Sequence, residues 1–213
     1  MSEAREVVLA RIRSALRDVP PSERRQIVRA YRTRGSASRE ELVELFVERV
    51  GDYRASVEVT AEPAVAAAAA LEAEGARRVV VAPDLPAELR NCGIPLVEDR
   101  DLAPQELDTL DGALTTCAAA CAETGSIALD GGPGQGRRVV TLVPDLHVCV
   151  VRADQIVETV PELFARLAPS AHEGRPIVVV SGPSATSDIE LNRVEGVHGP
   201  RRLVVIVDVR SDV

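Results

Sequence analysis

The chain has 213 residues and a formal net charge of −8, and all 25 of its basic residues are arginine. Without lysine there is no Schiff-base chemistry and no Walker-type phosphate lysine, and arginine cannot substitute because it stays protonated at working pH. Aromatics are 2% of an acidic chain, so the basic stripe and stacking rings of a nucleic-acid binder are both missing.

Val8, Leu9, Ile12, Ala15 and Leu16 recur at helical spacing and predict a helix over 3–17, ended by Pro20-Pro21. Charges at Glu3, Arg5, Glu6, Arg11 and Arg13 leave no apolar segment for a signal peptide. The longest uncharged apolar run, Ala64 to Leu71, is far short of the ~20 residues that cross a bilayer. No membrane insertion is expected. Arg24, Arg25, Arg29, Arg32, Arg34 and Arg39 form a basic stretch with Glu23 the one acid among them. It reads as a solvated face around a linker, with a docking patch for an acidic partner as the alternative. A capping box at Ser38 and Glu41 starts a second helix over 39–50, which Gly51 closes. Residues 1–51 are therefore expected to be a helical N-terminal extension.

Beyond Gly51 short β-branched runs alternate with helices, and 52–213 is expected to be one α/β domain. Strands are predicted at 55–59, 78–82, 94–97, 112–116, 126–129, 139–143, 146–152, 176–180 and 203–208. Helices are predicted at 63–75 and 159–168, the latter from a capping box at Thr159 and Glu162. Runs such as Val178-Val179-Val180 and Leu203 to Val207 suit central parallel strands, apolar on both faces. No helix fits between 126–129, 139–143 and 146–152. The expected architecture is thus a Rossmann-like mixed sheet flanked by helices, with a hairpin excursion near its middle.

Candidate chemistry lies in the loops. The glycines of Asp130 to Gly136 open a further predicted strand rather than a helix, so they read as a hairpin loop or a mobile ligand cover, not a dinucleotide fingerprint. Ser181 to Ser187 follows a buried strand, and Ser187 with Glu190 predicts a helix start, so this loop reads as a ligand-contacting turn or as plain capping. His172 falls in a polar loop, and His147 opens an apolar strand as a core imidazole. His198 is presented by the Gly196 to Pro200 turn. Glu123 sits among Ala and Cys neighbours, where burial would raise its pKa. The cysteines, Cys92, Cys117, Cys121 and Cys149, include no CxxC pair and imply a reduced, cytoplasmic protein that binds no metal.

Ala122-Glu-Thr-Gly-Ser-Ile127, His147-Val-Cys-Val-Val151 with Gln155-Ile-Val157, Ser181 to Glu190 and Gly196 to Pro200, taken in order, resemble the LUD (lactate-utilization) domain family over roughly residues 50–210. The helical extension is similar to that of its small C-type members. The resemblance implies a fold like the NagB/RpiA/CoA-transferase group, and a part in oxidising L-lactate to pyruvate beside iron–sulfur partner proteins. The cysteine-rich cluster motifs of the electron-carrying member are missing, so this chain is expected to be a non-cluster subunit without a cofactor of its own. Two other readings stay open. One is a CoA-transferase-like or sugar-phosphate-isomerase-like enzyme using Glu123, and the other is a non-catalytic assembly subunit.

The expected site is a polar cleft at the carboxyl ends of the strands. Glu123 and His198 are its catalytic candidates. Thr124, Gly125, Ser126, Ser181, Gly182, Ser184, Thr186, Asp188 and Glu190 would cradle a small carboxylate- or phosphate-bearing ligand.

Overall fold

The computed structural model describes residues 3–19, 28–186, 194–196 and 198–210. Two compact units are present, Met1–Tyr31 and Arg32–Val213. The first holds α1 (Glu3–Ala15), on which Val7, Val8 and Ile12 are all exposed.

The second unit contains, in order, α2 (Arg39–Asp52), β1 (Ser56–Thr60), α3 (Pro63–Ala73), β2 (Val79–Val81), β3 (Leu96–Glu98), α4 (Pro104–Leu107), β4 (Gly112–Thr116), β5 (Ala119–Cys121) and β6 (Ser126–Leu129). It continues with β7 (Leu146–Arg152), β8 (Ile156–Val157), α5 (Val160–His172), β9 (Val178–Val180), β10 (Ala185–Thr186), β11 (Val194–Glu195) and β12 (Arg202–Asp208). The capping boxes at Ser38 and Thr159 form as expected, each serine or threonine side chain accepting from the N3 amide. The helix expected to begin at Ser187 lies outside the described residues.

Six strands make one sheet in the order β1-β12-β7-β4-β2-β3, with every pairing parallel. The antiparallel pairing expected inside this sheet occurs in a second, four-stranded sheet, β8-β5-β6-β9. The structure departs from two sequence expectations. Residues 139–143 do not form a strand, since Arg138–Thr141 is a 3-10 turn, and the hairpin joins β5 to β6 through Glu123-Thr124-Gly125. The strand at 178–180 pairs with β6, not with the parallel sheet.

Alternation along the central strands divides the core between the two faces of the parallel sheet. Val148, Val150, Val204 and Ile206 pack with Ala66, Ala67 and Leu71 of α3. Cys149, Val151, Val205 and Val207 face the other way, toward Phe46 and Val50 of α2 and toward Ala120, Ile127 and Leu129 of the second sheet. The second sheet turns Ala119, Cys121 and Ala128 outward onto Leu163 and Leu167 of α5. The layers are therefore helix, sheet, sheet and helix. Alanine permits this stacking, because its small side chain lets adjacent layers approach without leaving a void. α2, expected with the extension, is part of this core through Val43, Phe46 and Val50.

His147 is the core histidine the sequence suggests. It is 2% exposed, shares a 2.7 Å hydrogen bond with Thr115 Oγ1, and burial together with the nearby Arg138 charge pushes its pKa down to about 4.

Phe46 is the largest fully buried side chain in an aromatic-poor core, and it ties α2 to both sheets. Phe46→Ala is expected to destabilise the second unit by about 3–5 kcal/mol in urea unfolding. A loss below ~1 kcal/mol would show that α2 is peripheral.

Candidate functional site

Parallel sheets present the carboxyl ends of their strands to ligands. Here the ends of β4, β7 and β12 bring Thr116, Arg152 and Asp208 to one side of a cavity of about 390 Å³, where Cys117, Asp130, Gln135, Gln155, Arg166 and Arg175 complete the polar wall. A second cavity of about 380 Å³ shares Asp130, Gln135 and Arg175 with the first and adds Arg137, Arg138, Leu129, Pro176 and Val178. With those three side chains as their common wall, they are the two lobes of a cleft around Asp130.

Asp130 organises the partition between the lobes. It is 5% exposed and accepts hydrogen bonds from the Gly132 amide (2.9 Å), Gln135 Nε2 (2.9 Å) and Ser170 Oγ (2.5 Å), with Arg175 NH1 3.1 Å away. Burial works against its charge. The bonds from Ser170, Gly132 and Gln135, with Arg175 beside them, outweigh that penalty and hold the carboxyl below its ordinary range. Gln135 reciprocates by accepting from the Asp130 amide at 2.8 Å. The glycine-rich loop is thus a built turn on a buried carboxylate. It is fastened to the sheet where Thr116 Oγ1 donates to the Pro133 carbonyl (2.7 Å) and where the Thr116 amide donates to the Gly134 carbonyl (3.1 Å). Gly134 has φ +72°, and a Cβ there would lie 2.7 Å from Thr116 Oγ1, so only glycine fits this approach.

On the opposite wall Asp208 is gripped by Arg210, whose Nε lies 2.9 Å from Oδ1 and NH2 2.7 Å from Oδ2; NH2 also reaches Glu88 at 2.8 Å. Burial opposes the Asp208 charge, and these bonds overcome it and keep its pKa low. Gln155 ties the floor together by donating to the Cys117 carbonyl (2.8 Å) and accepting from the Arg152 amide (2.9 Å). Cys117 lines the cleft, and the adjacent Cys149 thiol and burial push its pKa well up, which disfavours the thiolate form. Among the described residues, no group of three or more His, Cys, Asp or Glu side chains is placed to hold a metal ion.

The residues singled out in the sequence occupy a different place. Ser126 Oγ and Ser181 Oγ are 2.6 Å apart, which joins the Glu123–Ser126 turn to the Ser181 loop. Ser184 Oγ accepts from the His198 amide at 3.0 Å, and the Ser184 amide donates to the Pro200 carbonyl at 2.8 Å, which joins that loop to the Gly196–Pro200 turn. These three motifs are linked in a row by hydrogen bonds. They do not close around Glu123 and His198. The Glu123 carboxylate is ion-paired with Arg32, which also binds Glu158, and His198 is an exposed turn residue whose carbonyl accepts from Arg138 at 3.4 Å. Neither residue lines either lobe of the cleft. Because β9 runs antiparallel to β6, Ser126 and Ser181 lie at the end of the second sheet away from Asp130, about 13 Å along the strand. Thr186 sits on β10, and only its backbone is described; Asp188 and Glu190 lie outside the described residues. Gly182 abuts Tyr53, and at Gly125 (φ +57°) a Cβ would lie 2.7 Å from the Arg49 backbone, so both glycines serve close packing against α2 and its end.

The basic stretch also finds a partner within the chain. Glu158 accepts from the Ala37 amide (2.8 Å), the Ser36 amide (2.6 Å) and Arg32, and the Ala37 bond leads in holding its pKa low. The residues that line the cleft, Arg152, Asp208 and Thr116, were available to sequence reasoning as the last residues of three predicted strands.

A family model described as the LUD domain matches residues 25–207. A protein of Deinococcus radiodurans named lactate utilization protein C is 49% identical over 171 residues, covering 80% of this chain and 81% of that protein. A protein of the same name from Halalkalibacterium halodurans is 33% identical over 107 residues, 48% of this chain and 46% of that one. Among solved structures, a DUF162 family protein from Deinococcus radiodurans aligns with a TM-score of 0.68 at 42% identity, covering 81% of this chain and 99% of that chain.

The partition built on Asp130 gives a pH-dependent prediction. Asp130→Asn is expected to destabilise the second unit at pH 7 by about 3 kcal/mol, because the Arg175 charge loses the more buried of its two carboxylate partners, Asp130 and Glu173. A carboxyl whose folded pKa is depressed contributes fully above its unfolded value, near ~4, and loses that contribution as pH falls through the folded value. Urea unfolding should therefore show the gap between wild type and variant constant from pH 7 down to about 4 and narrowing as pH falls further. A gap independent of pH contradicts the charge argument.

Proposed function

The chain belongs to the LUD domain family, and on that premise we propose that it is the C-type component of an L-lactate utilization system. The observation that carries this reading is the match along four-fifths of both chains to a protein named lactate utilization protein C. In this reading the oxidation of L-lactate to pyruvate releases electrons to iron–sulfur partner proteins, and this chain works beside them without carrying a cluster. Its donor set supports that division of labour. All four cysteines are buried thiols; Cys117 and Cys149 are adjacent, but Cys92 and Cys121 pack in other parts of the core, so the four are not gathered as a cluster requires. Thiols kept reduced in this way suit a cytoplasmic protein. No described helix is long and apolar enough to cross a membrane.

The alternative of acyl transfer through Glu123 needs a carboxylate free to attack an acyl group. Its engagement by Arg32 weighs against that reading.

Deleting the gene should abolish growth on L-lactate as sole carbon source while leaving growth on glucose intact, and the wild-type chain should restore it. Affinity purification of the tagged chain from lactate-grown cells should bring down proteins with the visible absorption of iron–sulfur clusters. Unimpaired growth on lactate would overturn the proposal. Recovery of the chain alone would remove the partner assignment.

A further inference from the structure

The Arg137–Arg138 lobe of the cleft contains a cation that no carboxylate among the described residues neutralises. Each of its other charges is matched. Arg137 forms a fork with Asp99 (Nε to Oδ2 2.8 Å, NH2 to Oδ1 2.5 Å), and Arg175 faces Asp130 at 3.1 Å. Arg138 is half-buried, and among the described residues no carboxylate reaches it. Its guanidinium donates to Thr141 Oγ1 at 2.9 Å and to the His198 carbonyl at 3.4 Å, both neutral acceptors, which leaves most of its five N–H groups unused. Removing a cation from water without a counter-ion is unfavourable, and burial does lower the Arg138 pKa. Beside it, Leu129, Pro176 and Val178 supply an apolar wall.

We propose that this lobe binds a short-chain monocarboxylate, with the carboxylate on the Arg138 guanidinium and the aliphatic part against Leu129, Pro176 and Val178. A planar guanidinium matches a carboxylate with two parallel hydrogen bonds. The charge balance selects a monoanion. One cation is uncompensated, so a monoanion balances the lobe, whereas a phosphate monoester with a charge near −2 would leave an excess negative charge beside the already paired Asp130. The neutral partners of Arg138 hold the guanidinium in place without competing for its charge. Through Gln135, which lines both lobes, a hydroxyl or keto group next to the carboxylate would meet the polar wall of the other lobe. The choice of lactate and pyruvate as probes rests on the function proposed above; the unpaired arginine does not.

The test is isothermal titration of L-lactate, pyruvate, acetate and inorganic phosphate into the full chain. Arg138→Gln is compared with Arg100→Gln, a charge-removing change at an exposed arginine that pairs with Glu98 and lines neither lobe. Saturable binding of L-lactate or pyruvate is expected, weakened roughly tenfold or more by Arg138→Gln and unchanged by Arg100→Gln. Absence of any saturable carboxylate binding overturns the proposal. So does equal binding by Arg138→Gln, or phosphate binding more tightly than every carboxylate. If Arg138→Gln does not fold, hydrogen exchange on the wild type decides. Lactate or pyruvate should protect the amides of 131–141, and protection confined to the Glu123–Ser126 turn would overturn the assignment. The two readings fail separately. A deletion strain that grows normally on lactate removes the function and leaves the binding result standing, whereas a lactate-requiring chain that binds no carboxylate does the reverse.

Discussion

The buried carboxylate of Asp130 sits where three otherwise separate parts of the chain meet. It ends β6, caps the glycine-rich loop through the Gly132 amide and Gln135, and takes Ser170 from the last turns of α5 and Arg175 from the segment entering β9. An ionised group at that depth is tolerable only when every lone pair has a donor. The loop, the helix end and the strand entrance are therefore fixed together or not at all. Both lobes of the cleft use that shared wall, so their shape follows from the same set of bonds.

The stacked sheets meet a second constraint. With few aromatics available, the core is filled by Val, Ala, Leu and Ile, and the two sheets must lie close for such side chains to touch. Alanines at 119, 120 and 128, with Cys121, make the second sheet thin enough to pack α2 and the parallel sheet on one face and α5 on the other. The segment leading into α2 is fastened to that sheet through Glu158 and Glu162, which accept from the amides of residues 35–37. Arg32 adds its charge to the same corner. Part of the basic stretch, which in isolation looks like a surface for an acidic partner, thus already satisfies acids of its own chain.

Sequence reasoning was most accurate where local signals act alone. The capping boxes at Ser38 and Thr159, the proline and glycine boundaries of α3, and the continuously apolar strands β7 and β12 all follow from rules within a few residues. It was least accurate at 139–143, where a run of apolar residues is read as a strand although Arg138–Thr141 closes as a 3-10 turn, with the Arg138 side chain and carbonyl both bonded to Thr141 Oγ1. Small-residue turns drew attention to Glu123–Ser126 and Ser181–Ser184 as ligand loops. In the structure their glycines and hydroxyls serve close packing and loop-to-loop bonds.

By itself the sequence determined the alternation of strands and helices, the parallel character of the central strands, the exclusion of lysine chemistry and the family, because composition, periodicity and ordered motifs are properties of the chain read in one direction. Tertiary structure decided which strands share a sheet, and with that which loops meet. Val178–Val180 is equally apolar whether it joins the parallel sheet or pairs with β6, and the choice moves Ser181 from the carboxyl edge of the main sheet to the far end of the second one. Likewise nothing local distinguishes Arg138 from its neighbour Arg137. Only the fold places Asp99 against one guanidinium and leaves the other facing a cavity without a counter-ion among the described residues. Charge compensation depends on groups far apart in sequence, and it becomes visible only when the chain has closed around it.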